Sequence, residues 1–364
     1  APPPSISRVL GGEQSNTTVA YEDRHLLKIL RQFEPGRHPD SEILRVLTER
    51  DFPHTPRLTG EIRCRLAEGE GLLGVMTEFV KSDGDGWTQT LDSLSRFFER
   101  VAGDEMQEKR LSFEELAGAN YFQRARQLGA RTGALHNCLA GLTDLPEFAP
   151  EPFTSLYQRS LYQSMRSQLR RTEAAVTRKL PELDSGARRK ASDWIASTPR
   201  ILETYGLLLH KRFSARKIRV HGDFHLGQVL NTGNDFVILD FEGEPRKGLG
   251  ERLLKRSPLV DVAGLLRSFD YAVETSLLKA MDPARLRPWA SRWLDLAGRS
   301  FLEGYLGETA GAGFLPEGAD FDTLLNLFLL DKATYEIGYE LNYRPSLLPI
   351  PLAGVSRLLS ASTA

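Results

Sequence analysis

The spacing of hydrophobic and polar positions changes near residue 80 of this 364-residue chain. Before that point, short apolar runs bounded by glycine or polar turns predict strands at 7–10, 18–21, 25–30, 57–66 and 72–77. Beyond it, apolar residues recur every three or four positions, as at Leu91, Leu94 and Phe98, which is typical of amphipathic helices. Helices are expected at 152–179, 258–280, 284–306 and 320–343. This order predicts an α+β protein with two unequal lobes, residues 1–80 and 81–364.

Two polar motifs interrupt the helical part, HGDFHLGQ at 221–228 and DFEG at 240–243. The segment between them predicts a hairpin that turns at 232–235 and would bring both motifs together within residues 221–243. The spacing resembles the protein-kinase pattern, in which an amide residue follows the catalytic aspartate by five positions and a later aspartate binds magnesium.

Phosphoryl transfer needs a carboxylate to take the proton of the acceptor hydroxyl and cations to offset the phosphate charge. We therefore expect Asp223 to be the base, with His221 beside it in the catalytic loop. Oxygen ligands for Mg²⁺ are expected from Gln228, Asp240 and Glu242. A zinc site formed by the two histidines at 221 and 225 is the alternative, but the glycines at 222 and 227 disfavour the helix it needs.

Residues that would bind ATP are expected in the strand-rich part. The loop after the first strand would offer backbone N–H groups to phosphate, and a lysine inside an apolar strand needs an anionic partner. We expect that lysine to bind phosphate and to pair with a glutamate on the following helix, and the strand end near residue 80 to bind adenine through its backbone. Ordinary explanations remain for each, namely a plain turn, a lysine on an edge strand and a first-turn glutamate. The predicted nucleotide-binding residues are Gly12, Ser15, Asn16, Thr17, Lys28, Glu42, Glu78 and Val80.

Composition excludes several classes of function. With 47 basic and 48 acidic residues, the chain has no overall charge that would favour nucleic acid or an acidic membrane. The sequence has no long apolar run or signal-peptide pattern, and Cys64 and Cys138 suggest no disulfide framework, which fits a cytoplasmic protein. The start, Ala-Pro-Pro-Pro, is typical of a linker and suggests one portion of a longer polypeptide.

Segments at 11–17, 28–42, 221–228, 238–245, 255–271 and 335–345 together resemble the maltokinase family. That family belongs to the aminoglycoside-phosphotransferase-like branch of the bilobal protein-kinase-like fold. The resemblance implies a Mg²⁺-dependent transfer from ATP to the anomeric hydroxyl of maltose, giving maltose 1-phosphate for α-glucan synthesis. It also implies trehalose synthase as a partner, fused or in complex. A cap subdomain usually precedes the glycine-rich loop in that family, but only a short segment lies before residue 11 here, so we expect the cap to be either lost or outside this sequence.

The sugar pocket is expected in the helical lobe facing Asp223, because aromatic faces and planar polar groups bind sugars. The segment 331–344 is rich in both, although a core-facing aromatic stripe with a solvated acidic edge is an equal alternative. An amino-sugar or aminoglycoside kinase, or a weakly active module that docks on trehalose synthase, remains open as the function. The predicted sugar-binding residues are His225, Asp270, Tyr335, Glu336, Tyr339, Asn342 and Arg344.

Overall fold

A computed structural model describes residues 6–11, 16–67, 69–103 and 112–361. Its small lobe is a five-stranded antiparallel sheet in the order β1-β2-β3-β5-β4. The strands are β1 (Ser7–Leu10), β2 (Thr17–Tyr21), β3 (His25–Ile29), β4 (Leu58–Leu66) and β5 (Gly69–Glu78), and helix α1 (Pro39–Glu49) connects β3 to β4. In the central strand, Lys28 stands opposite Thr18 on β2 and Val75 on β5. The lysine is thus held on a strand that is paired on both sides.

The larger lobe is mainly helical. Its helices are α2 (Gly86–Gly103), α3 (Phe113–Ala117), α4 (Ala119–Ala140), α5 (Ser155–Lys179), α6 (Ser185–His210), α7 (Leu249–Arg252), α8 (Leu259–Lys279), α9 (Pro283–Glu308), α10 (Ala319–Tyr343) and α11 (Pro349–Ala361). Two small antiparallel ladders complete it, β6 (Glu151–Pro152) with β7 (Arg216–Lys217) and the hairpin β8 (Val229–Asn231) with β9 (Phe236–Ile238).

The predicted α+β class is confirmed, and α5, α8, α9 and α10 lie within a few residues of their predicted bounds. The pattern did not single out α6 or α11. Helix α6 contains Pro199, and α11 begins at Pro349. Proline usually marks a turn or a helix end, so the sequence alone did not indicate a helix in either segment.

Helix α8 lies in the core of the large lobe. It buries apolar residues on nearly every side, and it also buries the charged residues Asp261, Arg267, Asp270 and Glu274. Since buried charges are stable only when paired and hydrogen-bonded, this helix must be surrounded by polar partners. None of the described helices is both long and apolar enough to cross a membrane.

Helices α4 and α9 cross at unusually close range through glycine. A Cβ atom on Gly129 would lie 1.9 Å from the backbone oxygen of Phe301, and one on Gly304 would lie 1.8 Å from that of Arg126. No side chain fits at either position, because real Cβ atoms essentially never approach other atoms so closely. The crossing therefore depends on both glycines.

Candidate active site

The two polar motifs meet through the β8–β9 hairpin, as the sequence predicts. Val229 pairs with Ile238 across the ladder, and the N–H of Leu239 donates to the carbonyl of Gln228 at 2.9 Å. The Gln228 side-chain Nε2 donates to Asp240 Oδ2, also at 2.9 Å. Asp240 has a φ of 65°, in the left-handed region that non-glycine residues rarely adopt. The hairpin thus fixes this amide and carboxylate side by side at the cost of local backbone strain.

One face of helix α8 packs against the catalytic loop, residues 221–228, and hydrogen-bonds to its backbone. Asp261 accepts hydrogen bonds from the backbone N–H groups of His221 at 2.8 Å and Gly222 at 2.9 Å. Ser268 Oγ accepts from the N–H of Leu226 at 3.1 Å. Between them, a Cβ atom on Gly264 would lie 2.4 Å from the carbonyl oxygen of Phe224. A glycine is therefore required there for the helix to approach the loop.

Asp261 was not found by sequence reasoning. Its carboxylate is fully buried and also contacts His136 Nε2 at 3.1 Å. Burial opposes ionisation of Asp261, but the hydrogen bond and charge of His136 outweigh it and hold the pKa of the carboxyl below its usual value. The only sequence signal was an aspartate in the first turn of a strongly apolar helix, which the helix dipole alone would explain.

His221 lies beneath the loop rather than at its reactive surface. It is 1 % exposed, its Nε2 lies 2.7 Å from the carbonyl oxygen of Leu239, and its ring packs between Phe224 and Phe241. Such a histidine ties the catalytic loop to the segment that carries Asp240. The expectation of a catalytic histidine is corrected to a positioning role, because the ring is turned inward and is not part of the cavity wall.

Asp223 faces an open cavity, and Lys332 on helix α10 lies beside it. The Lys332 Nζ is 3.3 Å from Asp223 Oδ1, and the two side chains are 28 % and 25 % exposed. Burial opposes ionisation of Asp223, but Lys332 and the neighbouring histidines outweigh it and lower its pKa below the usual value. The carboxylate is therefore ionised at neutral pH and can accept a proton. Lys332 was not predicted as a site residue. In the sequence it appears only as part of a charged pair, Asp331-Lys332, within an apolar helix.

Three carboxylates converge on Lys28. Its Nζ lies 2.6 Å from Asp40 Oδ2, 2.7 Å from Asp240 Oδ1 and 2.8 Å from Glu242 Oε1. Burial alone would lower the pKa of Lys28, but the three carboxylates raise it well above the usual value. Asn16 also contacts the cluster, since its Nδ2 donates to Glu242 Oε1 at 2.6 Å. The cluster joins β3, α1 and the DFEG segment.

The predicted pairing of Lys28 with Glu42 is wrong. Glu42 bonds to Arg37 and accepts from Arg219 Nη1 at 3.1 Å, while Asp40 is the α1 carboxylate on Lys28. Residues two positions apart on a helix lie on opposite sides, so the helix can direct only one of the two acids toward the lysine. Asp40 also accepts from the N–H of Phe241 at 2.9 Å, which fixes the helix against the DFEG segment.

The same carboxylates have the chemistry of a divalent-cation site. One oxygen each from Asp40, Asp240 and Glu242 lies within 4.8 Å of the others. Burial opposes ionisation of Asp240, yet Lys28 and Gln228 lower its pKa to about 2, whereas burial and the nearby carboxylates raise the pKa of Glu242. Hard oxygen donors of this kind suit Mg²⁺.

The remaining residues predicted to bind nucleotide have mixed outcomes. Gly12 and Ser15 lie outside the described residues. Thr17 begins β2, where its Oγ1 accepts from Arg31 Nε at 3.1 Å. Glu78 ends β5 opposite His25, and the chain continues through Val80 toward α2. Adenine binding by this connection stays a prediction.

A cavity of about 650 Å³ opens in front of Asp223. Helices α5 and α10 and the segment after DFEG form most of its wall, which includes Glu244, Lys247 and Asp331. Among the residues predicted to bind sugar, Tyr335 and Asn342 line this cavity. Its volume lies in the range usual for small-molecule sites.

The other predicted sugar-binding residues lie elsewhere. Asp270 on α8 and Glu336 on α10 both bond to Arg267 in the core, with 2.7 Å from Arg267 Nη2 to Glu336 Oε2. His225 Nδ1 accepts from the N–H of Gly227 at 3.1 Å and so shapes the turn.

The tyrosine stripe on α10 leaves the cavity after its first member. The ring of Tyr339 lies 6.3 Å from that of Tyr335 and 5.1 Å from that of Tyr343, which is exposed. Arg344 bonds to Glu340, with 2.7 Å between Nη2 and Oε1. A helix advances about 100° per residue, so a spacing of four drifts about 40° per step and turns the later residues away.

Comparison with known proteins gives two glucosamine kinases among the relatives. That of Streptacidiphilus jiangxiensis is 27% identical over 355 residues, covering 95% of this chain and 72% of the relative. That of Mycolicibacterium smegmatis is 23% identical, covering 96% of this chain and 79% of the relative. A glucosamine kinase solved with glucosamine, ADP and inorganic phosphate is 24% identical and superposes with a TM-score of 0.78 over 98% of this chain and 81% of that one.

The structural likeness shows the fold, and the family follows from a sequence model. The model described as the phosphotransferase enzyme family, APH, matches residues 6–294, which is most of the chain. The aminoglycoside-phosphotransferase-like branch expected from the sequence is confirmed, whereas these relatives are glucosamine kinases rather than maltokinases. The chain belongs to the APH phosphotransferase enzyme family.

Proposed function

We propose that this protein is an ATP-dependent kinase whose acceptor is a hydroxyl of an amino sugar. The observation that carries the proposal is one cavity whose wall holds both an ionised base, Asp223, and a second carboxylate, Asp331, that forms no ion pair in the described part of the chain. The names of the relatives support the same class of acceptor.

In the proposed reaction, Asp223 accepts the proton of the acceptor hydroxyl as that oxygen bonds to the terminal phosphorus of ATP and the bond to ADP breaks. Lys332 keeps Asp223 ionised before the reaction and orients it. Lys28 supplies fixed positive charge for the phosphates. Asp240, Glu242 and Asp40 would hold Mg²⁺, which offsets charge on the phosphates when bound.

The preference for a cationic acceptor over a neutral one rests on a single wall carboxylate, because the wall as a whole has more basic than acidic residues. Each of three wall carboxylates has a cation beside it, with 3.3 Å from Asp223 to Lys332, 2.7 Å from Glu244 to Lys247 and 3.2 Å from Glu251 to Arg256. Asp331 forms no ion pair with any residue in the described part of the chain.

The Asp331 side chain is therefore the wall group that an ammonium would stabilise most. Its Oδ1 accepts a hydrogen bond from Gln168 Nε2 at 3.0 Å. Burial raises its pKa to about 6, although Lys247, Arg256 and Lys332, beyond ion-pair distance, act in the opposite direction. At neutral pH it is a largely ionised, partly desolvated carboxylate. An amino-sugar ammonium would offset that charge, whereas maltose offers only neutral hydroxyls.

Maltose as acceptor, and trehalose synthase as partner, were implied by the maltokinase resemblance and are not part of this proposal. A cytoplasmic location likewise stays a prediction. The preference for an amino sugar rests on Asp331, so it can be tested separately from kinase activity.

The test is the initial rate of ADP release with Mg²⁺ and ATP across glucosamine, N-acetylglucosamine, glucose, maltose and kanamycin. We expect kcat/KM for glucosamine to exceed that for glucose and maltose by about tenfold or more, a difference of about 1.4 kcal/mol. N-acetylglucosamine should behave as a neutral sugar, because acetylation removes the charge of the amine.

Asp331→Asn is the matched variant, since it keeps the acceptor for Gln168 and removes only the charge. It should lower kcat/KM for glucosamine toward that for glucose and leave glucose unchanged. Faster turnover of maltose than glucosamine would overturn the amino-sugar assignment and leave the kinase standing. No ADP release with any of these acceptors would contradict the kinase proposal itself.

A further inference from the structure

A second cavity, of about 580 Å³, lies among helices α6, α8, α9 and α11 and shares no wall residue with the cavity at Asp223. Its size is that of a small-molecule site. The phosphoryl-transfer mechanism uses none of its residues. The cavity therefore needs an explanation of its own.

The wall of this second cavity carries more positive than negative charge. Lys190, Arg200, Arg287 and Arg357 line it, against Asp193 and Glu274. Glu274 is already neutralised, because its oxygens lie 2.9 Å from Arg287 Nη1 and 3.2 Å from Arg357 Nη1. Because these two arginines are themselves paired, the positive charge left for a ligand comes mainly from Lys190 and Arg200, offset in part by Asp193.

Ion pairs behind the wall hold two of the arginines in place. Arg357 bonds to Asp270 as well as to Glu274, and Asp270 is itself bonded to the buried Arg267. Arg287 is held by two bonds to Glu274, at 2.9 and 3.2 Å. Each guanidinium has five N–H donors in a rigid plane, so a fixed arginine presents its remaining donors to the cavity without further ordering.

The rest of the wall combines polar and apolar surface. Trp194 is 3 % exposed, and its indole N–H has no hydrogen-bond partner within the described residues. Ser291 and Ser356 add hydroxyl groups, while Leu277 and Leu294 add apolar surface.

We propose that this cavity is a binding site for the phosphate group of a small phosphorylated molecule. Phosphate matches the wall because its oxygens accept several N–H bonds at once, and arginine forks bind it with two parallel bonds. The apolar wall would then contact the body of a phosphate monoester. Free inorganic phosphate shares the chemistry of the head group, so the test separates these two sources.

The experiment is calorimetric titration of the full chain with its active site occupied by a non-hydrolysable ATP analogue and Mg²⁺. Inorganic phosphate and glucose 6-phosphate are the two probes, with glucose as the uncharged control. We expect saturable binding of one phosphate per chain and no binding of glucose. Tighter binding of glucose 6-phosphate than of phosphate identifies a phosphate monoester, and equal binding identifies the free ion.

The matched variants change the same number of charges inside and outside the cavity. Lys190→Ala with Arg200→Ala removes two cations from the wall, whereas Arg189→Ala with Arg212→Ala removes two from the exposed surface elsewhere. The first pair should raise Kd about tenfold or more, and the second should leave it within about twofold.

Thermal unfolding without phosphate checks that both double variants fold. Lys190→Ala alone, at an exposed helix position, keeps the test available if Arg200 proves necessary for stability, because Arg200 also donates to the carbonyl of Leu359 at 2.6 Å. Absence of saturable binding in the wild type would overturn the proposal. Equal weakening in the two double variants would overturn it as well.

Discussion

Replacing Asp331 with asparagine should stabilise the protein, and more so as the pH rises. The carboxyl of Asp331 lies in the wall of the cavity in front of Asp223 and forms no ion pair in the described part of the chain. Burial raises its pKa from the ordinary 3.8 to about 6. Asparagine keeps the hydrogen bond from Gln168 and has no charge to desolvate.

The magnitude follows from the two pKa values. Below pH 3.8 the group is protonated in both the folded and the unfolded chain, so it contributes nothing to the pH dependence. Between 3.8 and about 6 the folded chain keeps a proton that the unfolded chain has released, so the free energy of unfolding falls as the pH rises. The full cost is present above that interval. At about 1.4 kcal/mol for each tenfold change in proton affinity, it is at most about 3 kcal/mol.

Urea unfolding of the wild type and Asp331→Asn at several pH values measures this cost. The stability advantage of the variant should grow by about 2 kcal/mol between about pH 4.5 and about pH 8. Asp295→Asn, on the exposed surface of α9, is the control for a charge change outside the cavity. If the stability advantage of Asp331→Asn over the wild type stayed constant with pH, the reasoning would be refuted. The argument that an ammonium group would stabilise this carboxylate would fail with it.

Three further predictions concern the catalytic loop and the helix crossing. Asp223→Asn should lower kcat about 100- to 10,000-fold while calorimetry shows unchanged binding of an ATP analogue, and retention of half the activity would exclude Asp223 as the base. Asp261→Asn should lower kcat about 100-fold by loosening the loop with the KM for ATP within about twofold, and an unchanged kcat in steady-state assays would contradict the support role. Gly304→Ala should lower the free energy of unfolding by about 1–3 kcal/mol or more because its Cβ would lie 1.8 Å from a backbone oxygen of α4, whereas Gly307→Ala, with open space around it on the same helix, should be neutral or stabilising in the same urea titration.

The hairpin and its flanking motifs could be predicted because their signals are local. A turn-forming segment between two short apolar runs specifies antiparallel pairing, and pairing then dictates that Gln228 and Asp240 are neighbours. The position of Lys28 was equally local, since a lysine within an apolar strand needs an anion. The sequence near Lys28 does not indicate which carboxylate it contacts.

The partner of Lys28 depended on the rotation of α1 about its axis. Asp40 and Glu42 are both acidic and both in the first turn, so the sequence alone offers either one. The rotation is set by contacts with distant segments, including the bond from the N–H of Phe241 to Asp40 and that from Arg219 to Glu42. Neither partner lies near α1 in the sequence, and no periodicity in α1 encodes them.

The roles of the charged residues on helices α8 and α10 were equally hidden in the sequence. Both helices are so apolar that their charged residues looked like interruptions, yet Asp261 hydrogen-bonds to the loop that carries Asp223, and Lys332 contacts Asp223, the proposed base. A buried charge is tolerated only where a distant segment supplies its partner, so its role becomes visible when the partner is known. Asp331 is the exception among these charges, because it forms no ion pair in the described part of the chain, and in the proposed function the ammonium of the acceptor supplies its partner.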